Sequence, residues 1–246
     1  MVLALLADIH ANLEALRSCL AHAGARGAGR FAFLGDLVGY GADPAAVLDI
    51  VGEHVARGAV VVKGNHDDAV SGAGGYFNEA AAAAIAWTRA AITPGQRAFL
   101  ESLPLCIRED AICFVHASAA APRRWDYVDS AGAAERSALA AGTPYTFCGH
   151  VHHQVLYGED ARRRMIAFQP QAGVAIPVRP HRAWLAIVGS VGQPRDGNPA
   201  AAYALADLEA NSITFHRVPY DNHAAARKIR AAGLPEMLAF RLERGA

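Results

Sequence analysis

Lysine is all but missing from the chain, which carries only Lys63 and Lys228, while alanine is abundant throughout. We read both features as coding bias. An excess of either charge is also missing: Lys and Arg together number 23, as do Asp and Glu. A surface without net positive charge does not gather phosphate backbones, so bulk nucleic-acid binding is not expected. Long apolar runs are lacking too. The stretch from Val2 to Ala7 is shorter than a signal-peptide core, has no basic segment before it and runs straight into Asp8. Nothing approaches the ~20 apolar residues that cross a bilayer. These absences lead us to expect a soluble, cytoplasmic protein with no membrane partner. Cysteine is scarce, and Cys19, Cys106, Cys113 and Cys148 show no Cys-x-x-Cys spacing. Neither a zinc knuckle nor a dithiol redox motif is signalled, which leaves buried free thiols.

With 53% hydrophobic residues and no evident linker, the 246 residues are expected to form one domain over residues 1–246. Val2 to Ala7 reads as a buried strand, and Asn12 as the cap of a helix with Leu13, Leu16 and Leu20 on one face. Phe31 to Leu34 repeats the pattern, running into Gly35-Asp36. Asp43 and Pro44 then stand as N-cap and first residue of a helix that turns Val47, Leu48, Val51 and Val55 inward. Val60 to Lys63 is a third strand. Helices are expected from Asn78 to about Arg89 and from Thr93-Pro94. Leu105 to Arg108 and Ala111 to Val115 flank a hairpin turn, and Tyr145 to Cys148 is a further strand. From Arg163 the texture changes to strands at 164–168, 184–188, 203–208 and 212–218, read as an antiparallel second sheet. Helices close the chain from Asp221 to Gly233 and from Pro235 to Arg244. Alternation first and strands later implies an α/β fold of two packed sheets with helices outside.

Five short sequences each follow an apolar strand: Asp8-Ile9-His10, Gly35-Asp36, Gly64-Asn65-His66-Asp67, His116, and Gly149-His150-Val151-His152. Loops at the carboxyl ends of strands converge on one crevice. Carboxylates and imidazoles buried there without partners would cost on the order of several kcal/mol, so metal binding explains the set better than packing. In an extended segment residues two apart face the same side. That pairs Asp8 with His10 and, by the same arithmetic, His150 with His152. Asp36 is the natural carboxylate to bridge two ions. We assign Asp8, His10 and His152 to one metal, and Asn65, His116 and His150 to the other. Such mixed ligands favour Mn²⁺, Fe²⁺/Fe³⁺ or Zn²⁺ over Mg²⁺.

In this order the five motifs resemble those of the calcineurin-like metallophosphoesterase superfamily over residues 8–152. Gly189-Ser190-Val191-Gly192-Gln193-Pro194-Arg195-Asp196-Gly197 is similar to a segment of its small prokaryotic phosphodiesterase branch. The resemblance implies a four-layer αββα sandwich of two mixed β-sheets flanked by helices, and ligand roles that agree with those above. It also has departures. Protein phosphatases and symmetrical dinucleoside tetraphosphatases of the superfamily carry an Asp-Arg pair after Gly-Asp, where this chain has Gly39-Tyr40, which argues against both groups. The branch usually has an Asn before the Gly-Ser turn; here the residue is Ile187, which removes a supporting hydrogen bond.

Two divalent ions roughly 3.5–4 Å apart can ionise water and clamp an in-line displacement at phosphorus. His66 is the expected general acid for the leaving alkoxide, with Asp67 orienting it. Asn12 either caps its helix or donates to phosphate, and Arg195 reaches phosphate from the late loop. The expected reaction is hydrolysis of a phosphodiester, such as a nucleotide ester. Alternatives are asymmetric cleavage of a dinucleoside polyphosphate such as diadenosine tetraphosphate, phosphomonoester hydrolysis, and a metal-free scaffold, whose eroded ligands are not seen here. Residues 71–77 and 117–130 are the expected lips of the pocket. Arg123-Arg124 with Trp125 and Tyr127 either receive a nucleobase or simply pack a loop, with packing slightly favoured, and His153 should point away from the metals. The partner expected is a small phosphate-ester or nucleotide substrate. A homodimer is expected on base rates alone.

Overall fold

The computed structural model describes residues 1–72 and 77–246. Its first strand, β1 (Val2–Leu6), is buried on both faces, which is why it reads as an unbroken apolar run. Leu3 and Leu5 point into the core between two sheets, whereas Ala4 and Leu6 meet the helices outside. Helix α1 (Leu13–Ala25) starts at Asn12, whose Oδ1 accepts from the Ala15 amide at 3.1 Å. There follow β2 (Ala28–Phe33), α2 (Pro44–Val55), β3 (Val60–Val61), α3 (Asn65–Ser71), α4 (Glu79–Ala91) and α5 (Pro94–Ser102). Asp43 occupies the N-cap of α2, but its carboxylate takes the Lys228 ammonium at 2.8 Å instead of capping. Val55 ends that helix exposed, not inward as its spacing predicts.

The chain continues through β4 (Cys106–Glu109), β5 (Ile112–Val115), α6 (Ala131–Ala141), β6 (Tyr145–Cys148), β7 (Gln154–Glu159), β8 (Met165–Phe168), β9 (Ala175–Pro177), β10 (Trp184–Val188), β11 (Ala201–Asp207), β12 (Ser212–Val218), α7 (Asn222–Ala231) and α8 (Glu236–Arg244). Two six-stranded sheets result, in the orders β3-β2-β1-β11-β12-β9 and β4-β5-β6-β10-β7-β8. Both are mixed: β1, β2 and β3 run parallel, as do β5, β6 and β10, and the remaining pairings are antiparallel. Leu5, Leu34, Phe114, Phe147, Val188 and Phe215 fill the space between the sheets. Helices α1, α2 and α5 cover the outer face of the first sheet, and α6 covers that of the second. This is the four-layer αββα arrangement.

The late strands do not form a sheet of their own, which corrects the reading from texture. β11 pairs antiparallel with β1, Leu5 opposite Ala204, while β10 pairs parallel with β6. Both are buried along nearly their whole length, as central strands are, and periodicity shows burial without naming the neighbour. Gln154, at the start of β7, ties the two sheets together: its Nε2 lies 3.1–3.2 Å from the carbonyls of Val188, Tyr203 and His216. Among the described residues, no helix is long and apolar enough to cross a membrane.

Candidate metal centre and its pocket

The parallel strands deliver their loops to one end of the sandwich: 8–12 after β1, 34–41 after β2, 62–65 after β3, His116 after β5, 149–152 after β6 and 189–197 after β10. Backbone hydrogen bonds stitch these loops to one another. Asp8 and His10 donate their amides to Gly35 and Asp36, Gly149 donates to His116, and Gly192 donates to Asp8. Ser190 Oγ donates to the Asp8 carbonyl and accepts from the Gln193 amide, each at 2.8 Å. The Gly-Ser turn thus has its own brace despite Ile187, which lies fully buried under α6.

The backbone here is strained. Of the eleven non-glycine residues with positive φ among the described residues, seven lie in these loops: Asp8, His10, Ala11, Asp36, Tyr40, His150 and His152. Each costs about 1–3 kcal/mol and persists only where the surroundings enforce it. The segment from Asp8 to His10 is therefore not extended, and alternation is not what brings the two side chains together. The same strain separates His150 from His152, contrary to the spacing arithmetic. Asp8, His10 and His152 gather with ligand atoms within 4.8 Å of one another, and Asp36, His116 and His150 do likewise. Asn65 Oδ1 joins the second group, 3.1 Å from His116 Nε2. Asp36 lies between them, its Oδ2 3.7 Å from His10 Nε2 and 3.4 Å from His116 Nε2. Every ligand expected from sequence is thus brought into this cluster.

The donor chemistry fits divalent cations. The Nδ1 atoms of His10, His116 and His152 face the carbonyls of Val38, Leu34 and Gln193 at 3.3, 2.8 and 2.5 Å. The ring of His150 faces the carbonyl of Trp125. A carbonyl only accepts, so the nitrogen facing it carries the hydrogen and, in the neutral ring, the other presents a lone pair. Yet Nε2 of His10 and Nε2 of His152 are 3.2 Å apart. Burial holds both imidazoles well below their usual pKa, so neither supplies a proton to share. Two lone pairs turned on each other in a buried site are an arrangement that a cation between them would stabilise.

Asp36 is held well below the carboxylate range: burial alone would raise it, but the His116 and His66 imidazoles outweigh burial. His116 sits up at about 9, burial pulling it down and the Asp36 carboxylate more than compensating. Burial pushes Asp8 up to about 7, against the pull of His116. A divalent ion needs Asp8 ionised and His116 neutral, so binding must release protons. Affinity for Mn²⁺ should therefore climb from pH 6 to about 9 and then level off. Titration calorimetry at pH 7 in buffers of different ionisation enthalpy should show between about one and two protons released per chain; affinity flat across this range would contradict the assignment.

Glycine is required where loops meet ligands. A Cβ on Gly64 would collide with the Asp36 carboxylate and amide, and one on Gly39, at φ 89°, would lie 2.5 Å from His66 Nδ1. Gly39 escapes a reading of ligand motifs because it ligates nothing.

His66 stands beside the centre, its amide donating to Asp36 Oδ1 at 2.8 Å and its ring against His10, Tyr40 and Phe77. Its Nδ1 is buried with no partner among the described residues, and the ring lines the cavity. Asp67 does not orient it, which corrects the expectation. Oδ1 of Asp67 accepts from the Leu37 and Val38 amides at 2.9 and 3.2 Å and Oδ2 from Gly64 at 2.9 Å, so this buried carboxylate clamps the loops after β2 and β3. Burial, with Asp36 nearby, pushes it up to about 7.

Asn12 likewise leaves the substrate list. Besides capping α1, its amide donates to the Gly192 carbonyl at 2.9 Å and the Tyr220 hydroxyl at 3.1 Å, which uses both hydrogens. Arg195 does line the cavity, its guanidinium 5.8 Å from the Tyr40 ring centroid and bonded to Gln193 Oε1. His153 points away, with Nε2 on the Arg195 carbonyl at 2.7 Å.

Over the centre opens a cavity of about 560 Å³. Tyr40, Phe77 and Arg195 wall one flank, and Arg123, Arg124, Trp125 and Tyr127 wall the other. The lip expected at 117–130 is thus present; of that expected at 71–77, residues 73–76 lie outside the described residues.

A sequence profile described as the calcineurin-like phosphoesterase superfamily domain matches residues 1–211. An uncharacterized protein of Methanocaldococcus jannaschii is 34% identical over 252 residues, covering 98% of this chain and 97% of the relative. The crystal structure of a metallophosphoesterase from Sphaerobacter thermophilus superposes with a TM-score of 0.89 at 35% identity, covering 100% of this chain and 99% of that one. A hypothetical protein from Pyrococcus horikoshii OT3 shares the fold, with a TM-score of 0.80 at 19% identity over 100% of this chain and 98% of its own.

Proposed function

The chain belongs to the calcineurin-like phosphoesterase superfamily, and from that premise we propose that it is a two-metal phosphodiesterase. The observation that carries the metal reading is the pair of facing Nε2 atoms on His10 and His152, 3.2 Å apart with both Nδ1 hydrogens committed to carbonyls. Asp8, His10 and His152 would hold one ion, Asn65, His116 and His150 the other, and Asp36 would serve both; Mn²⁺, Fe²⁺/Fe³⁺ or Zn²⁺ suits this set. Such ions supply Lewis acidity and ease the ionisation of water.

The remaining work falls to the chain's own side chains. His66 Nδ1 has no partner among the described residues, and a bare buried lone pair is cheaper than an orphaned N–H. The proton therefore sits on Nε2, toward the cavity, where a leaving oxygen would take it. Arg195 would pair with the non-bridging phosphoryl oxygens. A diester is favoured over a monoester because the cavity continues on both flanks of the centre, giving room for a group on each ester oxygen. Asymmetric cleavage of a dinucleoside polyphosphate is the second reading, favoured by three arginines that line the cavity, Arg195 on one flank and Arg123 and Arg124 on the other.

The test is a parallel assay of bis(p-nitrophenyl) phosphate, p-nitrophenyl phosphate and diadenosine tetraphosphate with Mn²⁺, Fe²⁺ or Zn²⁺. The diester should be preferred, and EDTA should abolish turnover. Preference for the monoester would overturn the diesterase assignment, and two ADP from the tetraphosphate would exclude the second reading.

A further inference from the structure

Tyr127 lies against the His150 imidazole, ring centroids 4.2 Å apart and planes 19° from parallel. The side chain is nonetheless 53% exposed and lines the cavity. A ring that merely closes a loop onto the body buries both faces; this one packs a single face and offers the other to the space above the centre. Its loop is also held there at a cost. Trp125, two residues earlier, sits at φ 56°, a conformation that bulky side chains avoid. Its ring stands edge-on to His116 with centroids 6.0 Å apart. Arg124 is tied to Asp126 at 3.3 Å, and with Arg123 it adds guanidinium charge to the same wall.

The two flanks are not equivalent. His66 contacts His10, Tyr40 and Phe77 at centroid distances of 4.9, 4.4 and 5.1 Å, whereas Tyr127 contacts His150 on the side of the other ion group. A phosphorus held between the groups has its leaving oxygen beside His66 and its retained ester beside Tyr127.

We propose that Tyr127 is the stacking platform for a nucleobase on the retained side of the substrate, so that the enzyme cleaves esters of nucleoside monophosphates and releases the nucleotide from the Tyr127 flank. The inference rests on the phosphodiesterase reading. Water adds to phosphorus as the bond to the leaving oxygen breaks; the leaving oxygen gains a proton from His66, the proton released by the attacking water restores His66 by way of solvent, and the products are a nucleoside monophosphate and an alcohol. Stacking of a base on an aromatic ring is worth about 1–3 kcal/mol, or roughly 5- to 140-fold at 1.4 kcal/mol per tenfold.

Two substrates with the same leaving group isolate the effect: the p-nitrophenyl ester of thymidine 5′-monophosphate and methyl p-nitrophenyl phosphate. With Mn²⁺-loaded protein, kcat/KM for the thymidine ester should exceed that for the methyl ester by this factor, carried by KM. Tyr127→Ala should bring the ratio close to one, and Tyr127→Phe should restore it. Equal kcat/KM values in the natural protein, or a ratio unchanged in Tyr127→Ala, would overturn the stacking assignment while the diesterase reading stands. Turnover of neither ester would overturn that reading, and the stacking assignment with it.

Discussion

Asp36→Ala should lose both ions and essentially all turnover. The carboxylate is fully buried and lies within 3.7 Å of His10 and 3.4 Å of His116, the imidazoles at the inner edges of the two ligand groups. Its removal takes away the anion that either ion would share and leaves the imidazoles without a counter-charge. Lewis-acid stabilisation contributes several kcal/mol. At 1.36 kcal/mol per tenfold in rate, activity should fall by at least about 10³-fold. Metal content measured after dialysis should fall from two ions per chain to less than one. The fold should survive, because the stitches between the loops after β1 and β2 are backbone hydrogen bonds that the Asp36 side chain does not make. Circular dichroism should therefore match the natural protein. A variant that keeps two ions and normal turnover would remove Asp36 from the bridging role.

His66→Ala should separate metal binding from chemistry. A ring nitrogen of His66 also lies within 4.8 Å of ligand atoms of His10 and Asp36. His66 is nonetheless outside the two groups assigned to the ions, and Asp36 Oδ1 is held by the His66 backbone amide, which an alanine retains. Both ions should stay. Proton transfer by a positioned side chain contributes about 10²–10⁴-fold, and kcat for an alkyl-ester substrate should fall by that factor. With a p-nitrophenyl leaving group, which needs little protonation, the loss should shrink to less than about tenfold. Equal losses for both leaving groups would mean that His66 orients the phosphoryl group instead of protonating the departing oxygen.

Much of this centre is legible in the amino-acid order, and the reason is chemical. Asp8, His10, Asp36, Asn65, His116, His150 and His152 each follow a strand whose apolar run is buried on both faces, so their placement at a strand end needs only the alternation of strand and loop. The grouping of ligands is less accessible. His150 and His152 are two apart yet serve different groups because both take left-handed backbone conformations, and no period applies to such a segment. Asp67 and Asn12 show a second limit. Each has the right chemistry and position for the active site, but each is claimed by backbone groups of its neighbours, and such partners are assembled only by the tertiary fold. The partition of the late strands between two sheets is hidden for a similar reason: the apolar residues of β10 and β11 report burial, whereas the identity of the adjacent strand is set by connections far along the chain.

The backbone carbonyls deserve equal weight with the ligands. Val38, Leu34, Gln193 and Trp125 each take a hydrogen from, or face, one imidazole of the centre. All four carbonyls lie in loops that also line the cavity. Ligand orientation and pocket shape are therefore coupled: the loop that carries Tyr127 also supplies the carbonyl facing His150, and the loop that carries Arg195 supplies the one for His152.

If two cations share this site, crystals grown with Mn²⁺ and measured at the manganese absorption edge will reveal both. Two anomalous peaks per chain are expected, one among Asp8, His10 and His152 and one among Asn65, His116 and His150, with Asp36 between them. A single peak, or peaks only away from these residues, would contradict the two-cation assignment.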